Sequence, residues 1–198
     1  MRRSDFDILR IKTNNIALIW KDARGIAPDS VADKMDEAML SWMVELTDTL
    51  KIWIDKGAAM TNGELILAWT NMGALVESWL KFFYCVFYED YINKPLVKKD
   101  KMVEPNKMKF EELKNFSKGI LFDDEQDSLY QWVDKIQHYR NAVHAFNYRD
   151  IGSSVDFLLD MNEYYIYVDK ILRRIPNVED YVESYPSGYV TNVYFDKI

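Results

Sequence analysis

Residues 61–93, TNGELILAWTNMGALVESWLKFFYCVFYEDYIN, decide the fold. Thr61 and Glu64 have the spacing of a capping box and open a helix expected to run to about Asn93, just ahead of Pro95. The helix is apolar nearly all round, with Leu65, Ile66, Trp69, Met72, Leu75, Val76, Trp79, Leu80, Phe83, Val86 and Phe87. Such a helix has to be enclosed by others, so it predicts the central, most buried element of an all-α bundle.

The flanking sequence supplies the enclosing helices. Upstream, Asp29 follows Pro28 as an N-cap, and Val31, Met35, Met39, Trp42, Leu46, Leu50 and Trp53 recur at helical spacing until Gly57. Downstream, Phe110, Leu113 and Phe116 mark a short helix over about 109–118 that lies across the bundle. The acidic cluster Asp123, Asp124 and Glu125 opens another helix, which continues through Leu129, Trp132, Val133, Ile136, Val143 and Phe146. After a loop at 150–153, a last helix runs from about Ser154 to Arg174 with Val155, Leu158, Leu159, Tyr165, Val168, Ile171 and Leu172. The pattern predicts an antiparallel bundle of four long helices plus one short crossing helix, with no alternation sustained enough for a sheet. A single domain spans 1–198, its helical body at about 29–175. Before it, NNIALIW at 14–20 suits a strand or a short helix ending at Gly25. After it, the tail with Pro186 and Gly188 is expected to add a short strand or pack irregularly.

Composition narrows the function classes. With 198 residues, 48% of them apolar and 15% aromatic, the chain has enough bulk for one substantial core. The one cysteine, Cys85, sits among Phe82, Phe83, Val86 and Phe87 and reads as a buried, inert thiol in a reducing compartment. The N-terminus lacks a secretory pattern and no apolar run reaches membrane-spanning length, so the expectation is a soluble, cytoplasmic protein without a membrane partner. A net charge of −7 argues against a generic nucleic-acid coat. The middle of the chain is nevertheless basic: Lys94, Lys98, Lys99, Lys101, Lys107, Lys109, Lys114 and Lys118 face only Asp100, Glu104, Glu111 and Glu112 between residues 94 and 118. That run reads either as a solvated loop or as a local anion-binding surface.

There is no phosphate-binding Gly-rich loop, no dinucleotide fingerprint, no nucleophile elbow and no Glu-x-x-His pair. With two histidines, neither a metal site nor a cofactor is expected. What remains is YRNAVHAF at 139–146. At about 100° per residue with Ile136 as the centre of the buried stripe, Arg140 falls near 40°, His144 near 80° and His138 near 160°. Arg140 therefore points inward, His144 borders the buried face beside it, and His138 faces water. An inward guanidinium demands an anion, and Glu77 on the central helix is the candidate. Glu77 shares a polar line with Thr70, Lys81, Tyr84 and Tyr88, within about 40° along that helix. The line reads as a solvent face with an i,i+4 pair of Glu77 and Lys81, or as the wall of a cleft in which Glu77 orients Arg140. Taken singly, His144 is a boundary histidine and Arg140 a salt-bridge partner. One turn apart with Asn141 between them, they become a candidate pair.

RNAVH within IQHYRNAVHAF resembles the signature of HEPN (higher eukaryotes and prokaryotes nucleotide-binding) domains, helical bundles that carry an Arg, a following polar residue that is very often Asn, and then a His near the end of a late core helix. GALVESWLKFFYC is similar to the helix that faces that motif. Family members usually separate Arg and His by four to six residues, whereas Asn141, Ala142 and Val143 alone intervene here, a rise of about 6 Å on an α-helix. The resemblance implies a metal-independent endoribonuclease. In it His144 acts as general acid or base, Arg140 clamps the scissile phosphate, Asn141 positions backbone or substrate, and Glu77 orients Arg140. The products would be a 2′,3′-cyclic phosphate and a 5′-hydroxyl. It also implies an RNA substrate, a homodimer that brings two motifs to one cleft, and the biology of a toxin with an antitoxin or regulatory partner, or of an antiphage effector. Lys81, Lys98, Lys99, Lys101 and Lys107 are then the candidate RNA contacts. Two other readings compete. In one, a HEPN-like bundle without catalysis binds nucleotide, RNA or protein; in the other, an unrelated helical adaptor takes a peptide in a groove lined by exposed Trp and Tyr.

Overall fold

The structure, a computed structural model, describes residues 3–144, 146 and 148–176. Its elements are helices α1 (Arg3–Lys21), α2 (Asp29–Glu37), α3 (Leu40–Lys56), α4 (Asn62–Val86), α5 (Tyr88–Asn93), α6 (Phe110–Phe116), α7 (Ser128–Arg140) and α8 (Ser154–Leu172). One antiparallel hairpin, β1 (Val97–Lys98) and β2 (Lys101–Met102), stands between α5 and α6. The described chain is therefore helical apart from a two-stranded ribbon, and no helix in it is long and apolar enough to cross a membrane. The tail containing Pro186 and Gly188 lies outside the described residues.

α4 is the centre, as its all-round apolarity requires, and α2, α3, α6, α7 and α8 all pack against it. The capping box starts it: the Thr61 side chain accepts from Glu64 N–H at 3.3 Å, and the Glu64 carboxylate accepts from Thr61 N–H at 3.0 Å. Two fully buried tryptophans tie the layers together. Trp69 donates to the Ile151 carbonyl at 3.0 Å and packs against Tyr139 of α7 and Phe157 of α8, with ring centroids 4.8 and 4.9 Å apart. Trp79 donates to the Tyr164 hydroxyl at 3.1 Å, and Tyr167 donates to the Val76 carbonyl at 2.9 Å. Each of these three donors thus finds a partner across the core.

Several boundaries differ from the sequence reading. The segment left open before Asp29 is the 19-residue helix α1, which buries Phe6, Leu9, Ile16 and Trp20. The helix expected from Asp29 to Trp53 is two: Ala38 takes an extended conformation (ψ 136°), so α2 and α3 meet at a corner and leave Met39 and Trp42 exposed. Both helices bury their faces in the same core, so the apolar period passes through the break. The long second helix likewise ends at Phe87 (ψ 36°), with α5 turning away. Among the described residues there are eight α-helices, five of them of 13 residues or more, where four long and one short were expected. On α8 the core is built by Phe157, Met161, Tyr164, Tyr167 and Val168, whereas Val155 and Leu159, read as core residues, face solvent. Ser153 starts that helix through a capping box with Asp156.

Candidate functional site

α7 begins where Asp127 accepts from the N–H groups of Leu129 at 2.8 Å and Tyr130 at 3.3 Å, four residues beyond the expected start at Asp123. It ends at Arg140, not at Phe146. Residues 141–144 tighten into a 3-10 turn, leaving Val143, His144 and Phe146 exposed. The tightening corrects the expected placement of His144. Four steps of about 120° rotate it roughly 120° from Arg140, where an α-helix would have given about 40°, and carry it off the edge of the buried face into solvent. No hydrogen bond joins the two side chains. Asn141 caps α7, its N–H donating to the Gln137 and Tyr139 carbonyls, and its amide side chain bonds to no other described residue.

Arg140 does point inward, and it is held from three sides. Its Nη2 lies 2.9 Å from Glu77 Oε2, its guanidinium carbon stands 5.8 Å from the centre of the buried Phe110 ring, and its aliphatic stem runs across α4 at Gly73. A methyl group on Gly73 would sit 2.6 Å from Arg140 Cβ and 2.7 Å from Cγ, so glycine is what allows the approach. The other Glu77 oxygen lies 2.8 Å from Lys81 Nζ. Glu77 therefore makes the i,i+4 pair with Lys81 and an ion pair with Arg140 at once. The Glu77 side chain is 14% exposed, against 33% for Arg140 and 31% for Lys81, so one nearly buried carboxylate anchors two cations that still reach water, with a local excess of one positive charge. The C-terminal dipole of α7 further favours a cation at its last residue.

The rest of the polar line does not continue the site. Thr70 bonds back to the Ile66 carbonyl, and Tyr88 donates to Glu104 at 3.2 Å. Tyr84 is buried under α6, donating to the Ser117 hydroxyl at 2.9 Å, and burial pushes its phenol well above the usual range. Cys85 is buried too, its thiol pushed up to about 12 by desolvation, which makes it inert.

The candidate RNA contacts divide. Lys99, Lys101 and Lys107 are exposed and without a carboxylate partner among the described residues. Lys99 and Asp100 form the hairpin tip, both with positive φ (48° and 60°) as a type I′ turn requires. Lys98 instead pairs with Glu112 on α6, and Lys98 together with the Lys109 N–H holds that carboxyl below its usual range. Through this tether the hairpin is tied to α6, the helix that supplies Phe110 to Arg140. Two other members of the basic run add no free charge. Lys114 is buried between Glu111 and Asp134, and Lys118 pairs with Glu125 at 2.7 Å.

His138 is exposed as expected, its Nδ1 lying 3.1 Å from Arg149 Nη1. Two residues beside Arg140, Gly73 and Phe110, are not site candidates in the sequence reading, where Phe110 serves only to mark the short helix. Gly73 carried a signal, being an isolated glycine within the most strongly helical stretch, where a packing reason is the usual one. Phe110 carried none, because its role depends on how α6 crosses α4 and α7. No cluster of three or more His, Cys, Asp or Glu side chains suited to a metal ion occurs among the described residues. The chain matches no protein-family model, no curated protein and no solved structure.

Proposed function

We propose that this chain is a metal-independent endoribonuclease of the HEPN kind, cytoplasmic and working as a homodimer, with the role of a toxin or antiphage effector held in check by a partner protein. The observation that supports this reading is the preorganised Arg140. It is oriented by Glu77 at 2.9 Å with a third of its side chain open to water, and stands four residues before an exposed histidine. A guanidinium fixed in this way offers its remaining N–H groups to a phosphate without reorganising, the condition under which such contacts lower a barrier most. Lys81, on the same carboxylate, adds a second cation, and the hairpin lysines Lys99 and Lys101 track the strand.

The chemistry needs one imidazole as base and a proton returned to the leaving group. His144 takes the proton of the ribose 2′-hydroxyl, whose oxygen attacks the adjacent phosphorus. Arg140 stabilises the charge gathering on the non-bridging oxygens. The 5′-oxygen leaves and is protonated by an imidazolium, the second copy's His144 in the dimer, giving a 2′,3′-cyclic phosphate and a 5′-hydroxyl. The orientation of Arg140 by Glu77 fits this mechanism; Asn141, free of side-chain bonds to described residues, is available to substrate.

A second reading, a HEPN-like module that binds RNA or protein without cleaving, is favoured by one observation: no described residue orients the His144 ring. One assay separates the two. Labelled single-stranded RNA and tRNA are incubated in EDTA with the wild-type chain and with Arg140→Ala and His144→Ala variants of verified fold. The nuclease reading expects cyclic-phosphate ends from the wild type and a loss of at least about 100-fold in each variant. Binding without cleavage by a folded wild type would transfer the assignment to the module.

A further inference from the structure

The corner at Ala38, where α2 gives way to α3, leaves a cleft of about 350 Å3 between itself and α4. Met39, Trp42 and Leu46 line it from the corner and α3, and Ser78, Lys81 and Phe82 line it from α4. Trp42 is 59% exposed and Met39 53%, large apolar side chains that the corner turns out of the core. Glu37, at the end of α2, and Asn106, in the turn at 105–107, complete the rim. The Asn106 amide donates to Glu37 Oε2 at 3.0 Å, and Glu37 Oε1 accepts from no described residue. Lys34 also borders the cleft but is taken by Glu104 at 3.0 Å, so it adds no free charge. Lys81 belongs both to this cleft and to the site around Arg140. It shares Glu77 with the guanidinium, at 2.8 Å against 2.9 Å, two cations on one carboxylate. A phosphate drawn to that excess charge stands at the edge of the cleft.

We propose that the cleft is a nucleobase subsite, taking the base of the nucleoside whose 3′-phosphate Arg140 and Lys81 hold, with guanine preferred. This role rests on the ribonuclease reading for that phosphate and adds a place where the sequence of the RNA is read. Three features of the cleft fit a base. An exposed tryptophan is a stacking platform, a contact that every base can make and a phosphate cannot. The adjoining Met39, Leu46 and Phe82 are apolar, and the volume lies at the small end of ligand sites, suited to one ring system and too small for a helix. The free oxygen of Glu37 offers an acceptor, and a carboxylate is matched best by the guanine edge, whose N1–H and 2-amino group present two donors side by side. The uracil edge sets a single donor between two carbonyls, which a carboxylate repels. The same carboxylate disfavours a second phosphate within the cleft.

The test is calorimetric titration of the full-length chain with 3′-GMP and 3′-UMP, with guanosine as the probe of the cleft alone and inorganic phosphate as the probe of Arg140 and Lys81 alone. None of these is cleaved, so binding is read without catalysis. The expected result is that 3′-GMP binds at least about ten-fold more tightly than 3′-UMP or inorganic phosphate. Trp42→Ala, at an exposed position, should weaken 3′-GMP and guanosine at least about five-fold and leave inorganic phosphate unchanged, while Trp42→Tyr restores binding. Glu37→Gln should bring 3′-GMP to within about two-fold of 3′-UMP. Guanosine bound in a Trp42-dependent way by a chain without affinity for phosphate would overturn the role given to Arg140 and keep the base subsite. Four results overturn the subsite itself. 3′-GMP binds no more tightly than inorganic phosphate; 3′-GMP and 3′-UMP bind alike; Trp42→Ala leaves 3′-GMP affinity unchanged; or the chain binds no nucleoside and sediments as a dimer that Trp42→Ala dissociates, which assigns the cleft to a second copy.

Discussion

Arg140 and His144 are four residues apart on the chain and held by different means. Arg140 closes a helix whose ring contacts, ion pair and glycine notch leave its side chain a single path; His144 ends a 3-10 turn with its ring in solvent. The difference has a physical origin in what each residue rests on. α7 is pinned to α4 and α8 through Trp69, Tyr139 and Phe157, so the backbone that presents Arg140 belongs to the core. The residues just beyond it bury only Ala142. The cation is thus fixed by the core, while the imidazole four residues on is exposed and bonded to no described residue.

The anchored side can be broken at its root. Trp69→Ala removes a fully buried ring that touches both α7 and α8 and vacates the Ile151 carbonyl it bonds, so chemical denaturation should show a loss of about 3–5 kcal/mol. A loss under about 1 kcal/mol would mean that the three-helix contact carries little of the stability, and the contrast with the exit turn would fail.

Gly73→Ala strikes the same side more locally. The added methyl meets Arg140 Cβ at 2.6 Å, and because the clash is with the base of the side chain, α4 and α7 must part, at about 1–3 kcal/mol. The cycle with Arg140→Gly makes this diagnostic: without the Arg140 stem, the alanine at position 73 should cost about 1 kcal/mol less, or become favourable through helix propensity. Equal cost in both backgrounds would show that something other than Arg140 fills the notch.

This pair of residues also shows how far the sequence could be read. Arg140's inward direction and its Glu77 partner follow from helical period, because α4 and α7 are regular over the stretch concerned. The all-round apolarity of α4 and the Thr61–Glu64 box placed the centre of the molecule for the same reason. The period fails where the backbone leaves the α-helix without a Gly or Pro to announce it, at Ala38, at Phe87 and after Arg140, and the first and last of these departures moved residues (Met39 and Trp42, then His144) off their expected faces. On α8 apolarity alone misleads: Val155 and Leu159 are apolar yet exposed, while the buried face is carried by Phe157, Met161 and Tyr164. Gly73 and Phe110 matter through a crossing between elements, which no single helical wheel contains.

Asp127 allows α7 to be loosened from its other end without touching Arg140. Burial raises its carboxyl pKa, but the N–H groups of Asp123, Leu129 and Tyr130 and the nearby Lys170 outweigh this and hold it below the usual value. A depressed folded-state pKa contributes stability that is complete above the ordinary carboxylate range and is lost as pH falls through the depressed value. Asp127→Ala should therefore cost about 1 kcal/mol at pH 7, with the gap to wild type closing in strong acid. A gap that persists unchanged at the lowest pH where the protein stays folded would show that shape, not charge, makes this cap.

The smallest effects are expected in the exit turn, where they carry the most functional meaning. His144→Ala and Phe146→Ser alter side chains that face solvent, and each should leave stability within about 0.5 kcal/mol of wild type, measured as a shift in denaturation midpoint at constant slope. Thermodynamic silence is what makes His144→Ala a clean probe. An RNA-cleavage defect in a variant as stable as the wild type reports on the imidazole itself, whereas a defect in Arg140→Ala mixes chemistry with the nearly buried Glu77 left without one of its two cations. A stability loss above about 1 kcal/mol in His144→Ala would mean that the turn packs as firmly as the helix before it, and the contrast between the two residues would vanish along with the functional reading drawn from it.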